Sequence, residues 1–273
     1  MPLAVIPLGL VIGLALGTLG GGGSILAVPA LVHLLGQDPV AATTSSLVIV
    51  GITSLLSMPA HQRAGRVRLG QGVTFGLLGT AGSFAGSTAA RAVPAAVLMT
   101  AFAVLMVVVA TLMLRQSLRS ESGTESESAE AGTSEPIITL HPLACACPRL
   151  VKLVVAATVV GLLTGFLGVG GGFVLVPALV LVLGFTMPVA VGTSLLVIAI
   201  NSATALAARV QHGIGDLDWP LIVGFSAAAV VGSLVGSKVA DRLPEHRLSQ
   251  AFAVLVLVIA GITAVQYVPD LVA

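Results

Sequence analysis

Polar residues are sparse along this chain, and they fall in clusters that separate ten apolar segments. In the first half these run at roughly 3–19, 24–36, 40–60, 69–90 and 95–114. In the second half they run at roughly 151–167, 172–184, 188–208, 219–240 and 247–268. A helix needs about 20 apolar residues to cross a bilayer, and most of these segments approach that length. Segments 24–36 and 172–184 do not, and each carries a proline, Pro29 and Pro177. At 1.5 Å rise per residue they reach only about 20 Å, short of a roughly 30 Å hydrocarbon core. They are expected either to cross as short, broken helices or to re-enter. The pattern predicts an all-α integral membrane protein.

The two halves repeat one another. Gly13, Gly17, Gly20, Pro29 and Leu31 match Gly161, Gly165, Gly168, Pro177 and Leu179 at a constant separation of 148. Pro39-Val40-Ala41 and Thr44-Ser45 match Pro188-Val189-Ala190 and Thr193-Ser194. Gly82-Ser83, Gly86-Ser87 and Pro94 match Gly232-Ser233, Gly236-Ser237 and Pro244, and Ala101 to Leu105 repeats as Ala251 to Leu255. Apolar bias produces chance leucine and valine matches, but not ordered glycines, prolines and Ser/Thr pairs. The expected organisation is a first transmembrane repeat over 1–114, a polar linker over 115–149 and a second repeat over 150–273. The linker contains Glu-Ser-Gly-Thr-Glu-Ser-Glu-Ser, which has too little apolar surface for a core and reads as a mobile segment.

Composition agrees with the pattern. Apolar residues make up 56% of the chain and charged residues 8%, and mean hydropathy is +1.10. A soluble domain carries about a quarter charged residues. The net charge of +1 implies no nucleic-acid partner. The apolar start of the chain lacks a charged leader region and reads as a retained helix. Cys145 and Cys147 lie in the linker near His141 as Cys-Ala-Cys, which is neither a redox CxxC nor a metal site of three or four ligands. No metal and no cofactor is expected.

The placement of charge predicts orientation. Arg63, Arg66, Arg68, Arg115, Arg119, Arg149, Lys152, Lys238, Arg242 and Arg247 share one side if each half crosses an odd number of times. Arg91 and Arg209 then lie on the other. An even number of crossings would divide the same residues eight to four. Short cytoplasmic loops attract Lys and Arg, so the odd count is preferred and the two repeats have inverted topology, with the linker cytoplasmic.

The candidate site begins at the glycine runs. Gly20-Gly21-Gly22-Gly23-Ser24 precedes Pro29, and Gly168-Val169-Gly170-Gly171-Gly172 precedes Pro177. Glycine runs are poor helix. In a membrane, unwound backbone is tolerated where it is buried in protein or lines a cavity. The helix that follows offers N–H groups and a positive dipole end, a combination that binds anions. A tight turn or close helix packing would explain one such run. Two broken segments at corresponding places point to a transporter site. Thr43, Thr44 and Ser45 open the third segment, and Thr193 and Ser194 the eighth. With Asn201 they could donate to an oxyanion, although Ser and Thr also cap or back-bond their own helices. A mid-membrane amide such as Asn201 needs partners. His61, Arg63, Gln211 and His212 follow segments three and eight as candidate gate residues or interfacial anchors, and His33 reads as a core histidine. Small-xxx-small pairs such as Gly13/Gly17, Gly72/Gly76, Gly82/Gly86, Gly161/Gly165 and Gly232/Gly236 read as helix contacts.

Asp38, Asp216, Asp218, Asp241, Glu245 and Asp270 all fall in loops or at segment ends. A buried carboxylate is the usual cation or proton site, so its absence argues against a cation carrier. There is no HExxH, P-loop or GxSxG motif, and no enzyme is expected.

The second copy, Gly-x-x-x-Gly-x-x-Gly-x-Gly-Gly-Gly followed by Pro-x-Leu from Gly161 to Leu179, and its looser copy from Gly13 to Leu31, resemble the TauE/SafE family of membrane proteins, often described as sulfite or sulfonate exporters. Pro-Val-Ala-x-x-Thr-Ser and the duplicated layout fit as well. The first copy departs in having Ser24 where the second has Gly172. The resemblance implies transport of a small sulfur-containing or organic anion across a bacterial inner membrane. The expected protein is a secondary transporter or facilitator working by alternating access, with a small anion and the bilayer as partners and a homo-oligomer left open. An anion channel, a cation-coupled importer or a non-transporting assembly or sensor subunit are the alternatives.

Overall fold

The computed structural model describes residues 5–90, 95–121, 147–167, 172–210 and 217–267. Among these residues the chain is helical and contains no strand. The ten helices are α1 (Val5–Leu19), α2 (Gly22–Pro29), α3 (Pro39–Arg63), α4 (Leu69–Ala90), α5 (Ala95–Glu121), α6 (Cys147–Leu167), α7 (Gly172–Leu181), α8 (Met187–Val210), α9 (Trp219–Ala240) and α10 (Glu245–Tyr267). They coincide with the ten apolar segments. Helix α5 continues through Arg115 to Glu121, and α6 begins at Cys147, so both ends of the expected linker are helical. Cys145, His141 and the Ser/Glu run lie outside the described residues.

Local chemistry sets the helix ends. Asp38 accepts from the Ala41 amide at 3.4 Å and Asp218 from the Leu221 amide at 3.2 Å, each just before a proline-containing first turn. These carboxylates satisfy orphan N–H groups at helix N-termini. The Glu245 carboxylate accepts from the Met187 amide at the start of α8. Thus three of the loop carboxylates are used to cap helices. Pro29 ends α2 and has no N–H, and the chain continues as one π-helical turn over Ala30–Leu34, closed by the Leu35 amide on the Ala30 carbonyl at 3.2 Å.

Helices α3, α8, α9 and α10 each contain a window long and apolar enough to cross a membrane, and shorter apolar helices occur in α1, α2, α5, α6 and α7. Outward-facing side chains are apolar too: Ile6, Val11, Leu77, Phe84, Val104, Val155, Val223, Val231 and Val258 are all exposed. A soluble protein would hide such a surface, whereas lipid accepts it. The chain is a multi-pass membrane protein.

The most extensive helix contacts join one half of the sequence to the other. Helix α1 packs on α9, α6 on α4, α5 on α10 and α3 on α8. Each pairing maps onto itself or its counterpart when the halves are exchanged. Glycine lines the first two of these contacts. A Cβ on Gly13 or Gly17 would collide with the backbone of Ala229 or Ser233, and one on Gly161 or Gly165 with the backbone of Gly79 or Ser83. Residue numbers rise together along both contacts, so α1 runs in the same direction as α9, and α6 as α4. The pairs Gly13/Gly17, Gly161/Gly165 and Gly232/Gly236 therefore act as backbone contacts, whereas Gly72 and Gly76 meet the side chains of Leu196 and Ile200. Gly17→Ala and Gly165→Ala should each lower the melting temperature of the purified protein, and by similar amounts. A methyl group forced against backbone costs about 1–3 kcal/mol. Unequal shifts would show that the two contacts are not equivalent.

Candidate functional site

The first glycine break meets Gly172, the first residue of α7, in the interior. Helix α1 ends as the Gly20 amide bonds the Leu16 carbonyl at 2.8 Å, and Gly20 turns the chain at φ 65°. Such a φ is open to glycine and strained for most other residues. A Cβ on Gly20 would also lie 2.6 Å from the Ser194 hydroxyl, so α8 closes over the break. Gly21 touches the Gly172 backbone at the start of α7, where a Cβ would collide with the Gly172 carbonyl. Ser24 lies over the same place. Its hydroxyl donates to the Gly21 carbonyl at 2.7 Å, and a Cβ on Gly172 would collide with it. One of the two mismatches between the glycine runs is therefore complementary: Ser24 occupies the space that Gly172 leaves. Gly22 faces Leu255 and Phe252 of α10, and Gly23 packs on the α1 turn at Ile12 and Leu16. On the other side Phe102 of α5 meets Phe173 of α7 edge to face at 5.2 Å. Gly168, Gly170 and Gly171 lie outside the described residues.

The hydroxyl groups divide into two sets. Ser24, Ser46 and Ser194 donate to carbonyls three residues back in their own helices, Ser194 to Val191 at 2.8 Å. Back-bonding removes them as ready donors to a ligand. Ser45 is fully buried with its hydroxyl unpartnered. A buried hydroxyl without a partner costs about 1–3 kcal/mol, so it calls for an explanation. Thr43 and Thr44 accept from the Arg209 guanidinium at 2.9 and 2.7 Å. Thr193, the counterpart of Thr44, accepts from the Arg68 amide at 3.2 Å. Thr44 thus meets the last turn of α8, and Thr193 the residue just before α4.

Arg209 is the residue that sequence reading missed. It served there only as one of two cations on the sparsely charged side. The signal was present: an arginine closing an apolar helix, opposite in side to most others. Its partners belong to α3, 165 and 166 residues away in sequence, and only folding reveals them.

Asn201 stands apart from this cluster. It lies eight residues beyond Thr193, about 12 Å along the helix. Its side-chain oxygen accepts from Thr80 of α4 at 3.2 Å, which supplies the partner a mid-membrane amide needs. Of the candidate gate residues, His61 is buried and Arg63 exposed. Gln211 and His212 lie outside the described residues, as does the side chain of His33. Among the described residues no group of three or more His, Cys, Asp or Glu is placed to hold a metal ion.

Comparison with known proteins settles the family. The description "Sulfite exporter TauE/SafE" matches residues 5–263. The chain belongs to the TauE/SafE family. A "Probable membrane transporter protein" of Xylella fastidiosa (strain 9a5c) is 30% identical over 252 residues, covering 91% of this chain and 89% of that protein. "Probable membrane transporter protein YunE" of Bacillus subtilis (strain 168) is 26% identical over 267 residues, covering 93% and 94%. "Probable membrane transporter protein YdhB" of the same organism is 28% identical over 247 residues, covering 88% and 91%. No solved structure matches the chain. The duplicated glycine-proline breaks and the Thr-Ser pairs are thus features of a TauE/SafE chain, and membrane transport is the activity class that its family and relatives support.

Proposed function

We propose that this TauE/SafE protein moves a small oxyanion, such as sulfite or a sulfonate, across the membrane by alternating access, and that it is not an enzyme. The observation that carries the reading is the meeting of the first break, at Gly21, with Gly172, with Ser45 buried and unpartnered. Broken helices meeting inside a transporter form a recurrent substrate site. The substrate would lie against Gly20, Gly21, Gly22, Gly23, Ser24 and Gly172; Gly168, Gly170 and Gly171 are candidates on sequence alone. Ser45 and, after rotation, Ser194 would donate to it, and Arg209 with Thr43 and Thr44 would flank it. Thr193 and Asn201, already engaged by Arg68 and Thr80, serve better as helix-positioning contacts. The family description as a sulfite exporter supports this substrate class, and the transporter names of the relatives support the activity alone.

The inverted arrangement of two repeats, divided at residues 114 and 150, is part of this reading. If the halves are inverted, the first helix of each runs parallel to the fourth helix of the other. The parallel pairs α1/α9 and α6/α4 fit that rule. Rocking of one repeat against the other is the simplest form of alternating access. The interlocked packing favours a different moving unit, because α1 and α9 are held by backbone contacts across the halves. Export of a monoanion from a negative-inside cell is favoured by about 2.3 kcal/mol per 100 mV, so efflux needs no coupling cation.

Proteoliposome flux of sulfite, thiosulfate, sulfonates and carboxylates tests the reading. A saturable flux with counter-transport is expected, and Ser45→Ala should reduce it about tenfold while leaving the melting temperature unchanged or higher. Unsaturable flux would indicate a channel. Sodium dependence would indicate an importer, and absence of flux for every anion a non-transporting subunit.

A further inference from the structure

A second polar site lies away from the glycine breaks, where α3 and α9 end. A cavity of about 350 Å³ opens there, lined by His61, Arg63, Arg66, Ser237, Lys238 and Asp241 among others. Its cationic side chains outnumber its single carboxylate. Arg66 and Asp241 form an ion pair across the cavity, joining the α3–α4 turn to the end of α9. His61 is only 2% exposed, and both its ring nitrogens lack a hydrogen-bond partner. A buried ring with two unsatisfied nitrogens is costly unless something binds there. The same α3 face carries Ser57 and Ser54 inward at helical spacing, each buried and unpartnered. The polar lining therefore continues into the helix bundle.

We infer that this cavity is a binding site for a tetrahedral or pyramidal oxyanion, held by Lys238 and His61, with Asp241 competing for Arg66 when the site is empty. Lys238 supplies a mobile point charge. Asp241 repels an incoming anion and holds Arg66 away from it. An anion that displaces Asp241 gains the Arg66 guanidinium, which suits planar, two-point recognition of such oxygens. The site lies on the face where Lys and Arg gather, where anions are drawn before crossing. The inference rests on the proposal that the chain carries oxyanions, but concerns binding at a different place. The same chemistry is offered by the phosphate head of an anionic lipid.

The test is equilibrium binding of sulfite to the full chain by calorimetry, in nanodiscs of neutral and of anionic lipid. In neutral nanodiscs Lys238→Met should weaken binding about tenfold, and Asp241→Asn should strengthen it several-fold, with unchanged melting temperatures. Binding lost for the native chain in anionic lipid, and kept in neutral lipid, would assign the cavity to a lipid phosphate as its resident oxyanion. Sulfite binding that neither substitution alters, in both lipids, would overturn the site. The Lys238 and Asp241 variants are expected to fold, since both side chains are exposed. A chain that transports no tested anion could still show this binding. Flux that depends on Ser45, without binding that depends on Lys238, would sink the cavity and leave the transport reading standing.

Discussion

Gly21→Ala is expected to cut the yield and the stability of the folded protein sharply. The added methyl group has no space: it would collide with the Gly172 carbonyl where the first break meets α7. The obstacle is backbone of another helix, and Gly20 beside it is fixed in a left-handed turn. Overpacking of a side chain costs about 1–3 kcal/mol, and a clash with backbone lies at or above that range. Such a loss consumes much of the stability of an ordinary domain. Gly22→Ala is the matched control. Its Cβ would stand 3.3 Å from a Leu255 methyl and 3.5 Å from Leu19 and Phe252, contacts that small side-chain shifts relieve. Folded yield and thermal melting should fall sharply for Gly21→Ala and little for Gly22→Ala. Equal behaviour of the two would show that Gly21 and Gly172 do not touch as described.

Arg209→Met should cause the largest loss of transport among substitutions that keep the fold. The guanidinium is partly buried and donates to both Thr43 and Thr44. Hydrogen bonds to a charged group are worth about 1.5–3 kcal/mol, and 1.4 kcal/mol is a factor of ten in rate. Flux should therefore drop at least tenfold if the charge attracts or positions the anion. Arg209→Lys keeps the charge but loses the fork, and should recover part of the flux. A structural role alone predicts another outcome: Arg209→Met would lower stability, Thr44→Val would lower it equally, and normalised flux would stay unchanged. Measuring flux and melting for the two single variants and the double variant separates these cases.

Segment boundaries were legible because lipid imposes them. Any stretch that crosses must be apolar and must satisfy its own backbone, so helices coincide with apolar runs almost residue for residue at 69–90 and 219–240. The continuation of α5 to Glu121 was not legible, because nothing in a hydropathy pattern distinguishes a helix that projects beyond the membrane from the start of a linker. The packing role of the small-residue pairs was also readable, since only glycine allows such approach. Which helix each pair approaches was not. Nor was the fate of the hydroxyls. Thr44, Ser45, Thr193 and Ser194 look alike as a repeated pair. Yet Thr44 meets Arg209, Thr193 meets the Arg68 amide, Ser194 bonds its own helix and Ser45 is left unpartnered.

The sequence by itself determined that the chain is helical, membrane-embedded, duplicated and broken twice by glycine. These follow from composition, periodicity and backbone chemistry, which act locally. Only the tertiary structure decided that the first break meets Gly172, that Ser24 fills the space Gly172 leaves, that Arg209 reaches α3, and that His61 lines a basic cavity with Arg66 and Asp241. Each of these joins residues more than a hundred positions apart. Such pairings depend on which helix faces which, and that is fixed by the packing of whole surfaces rather than by any one segment.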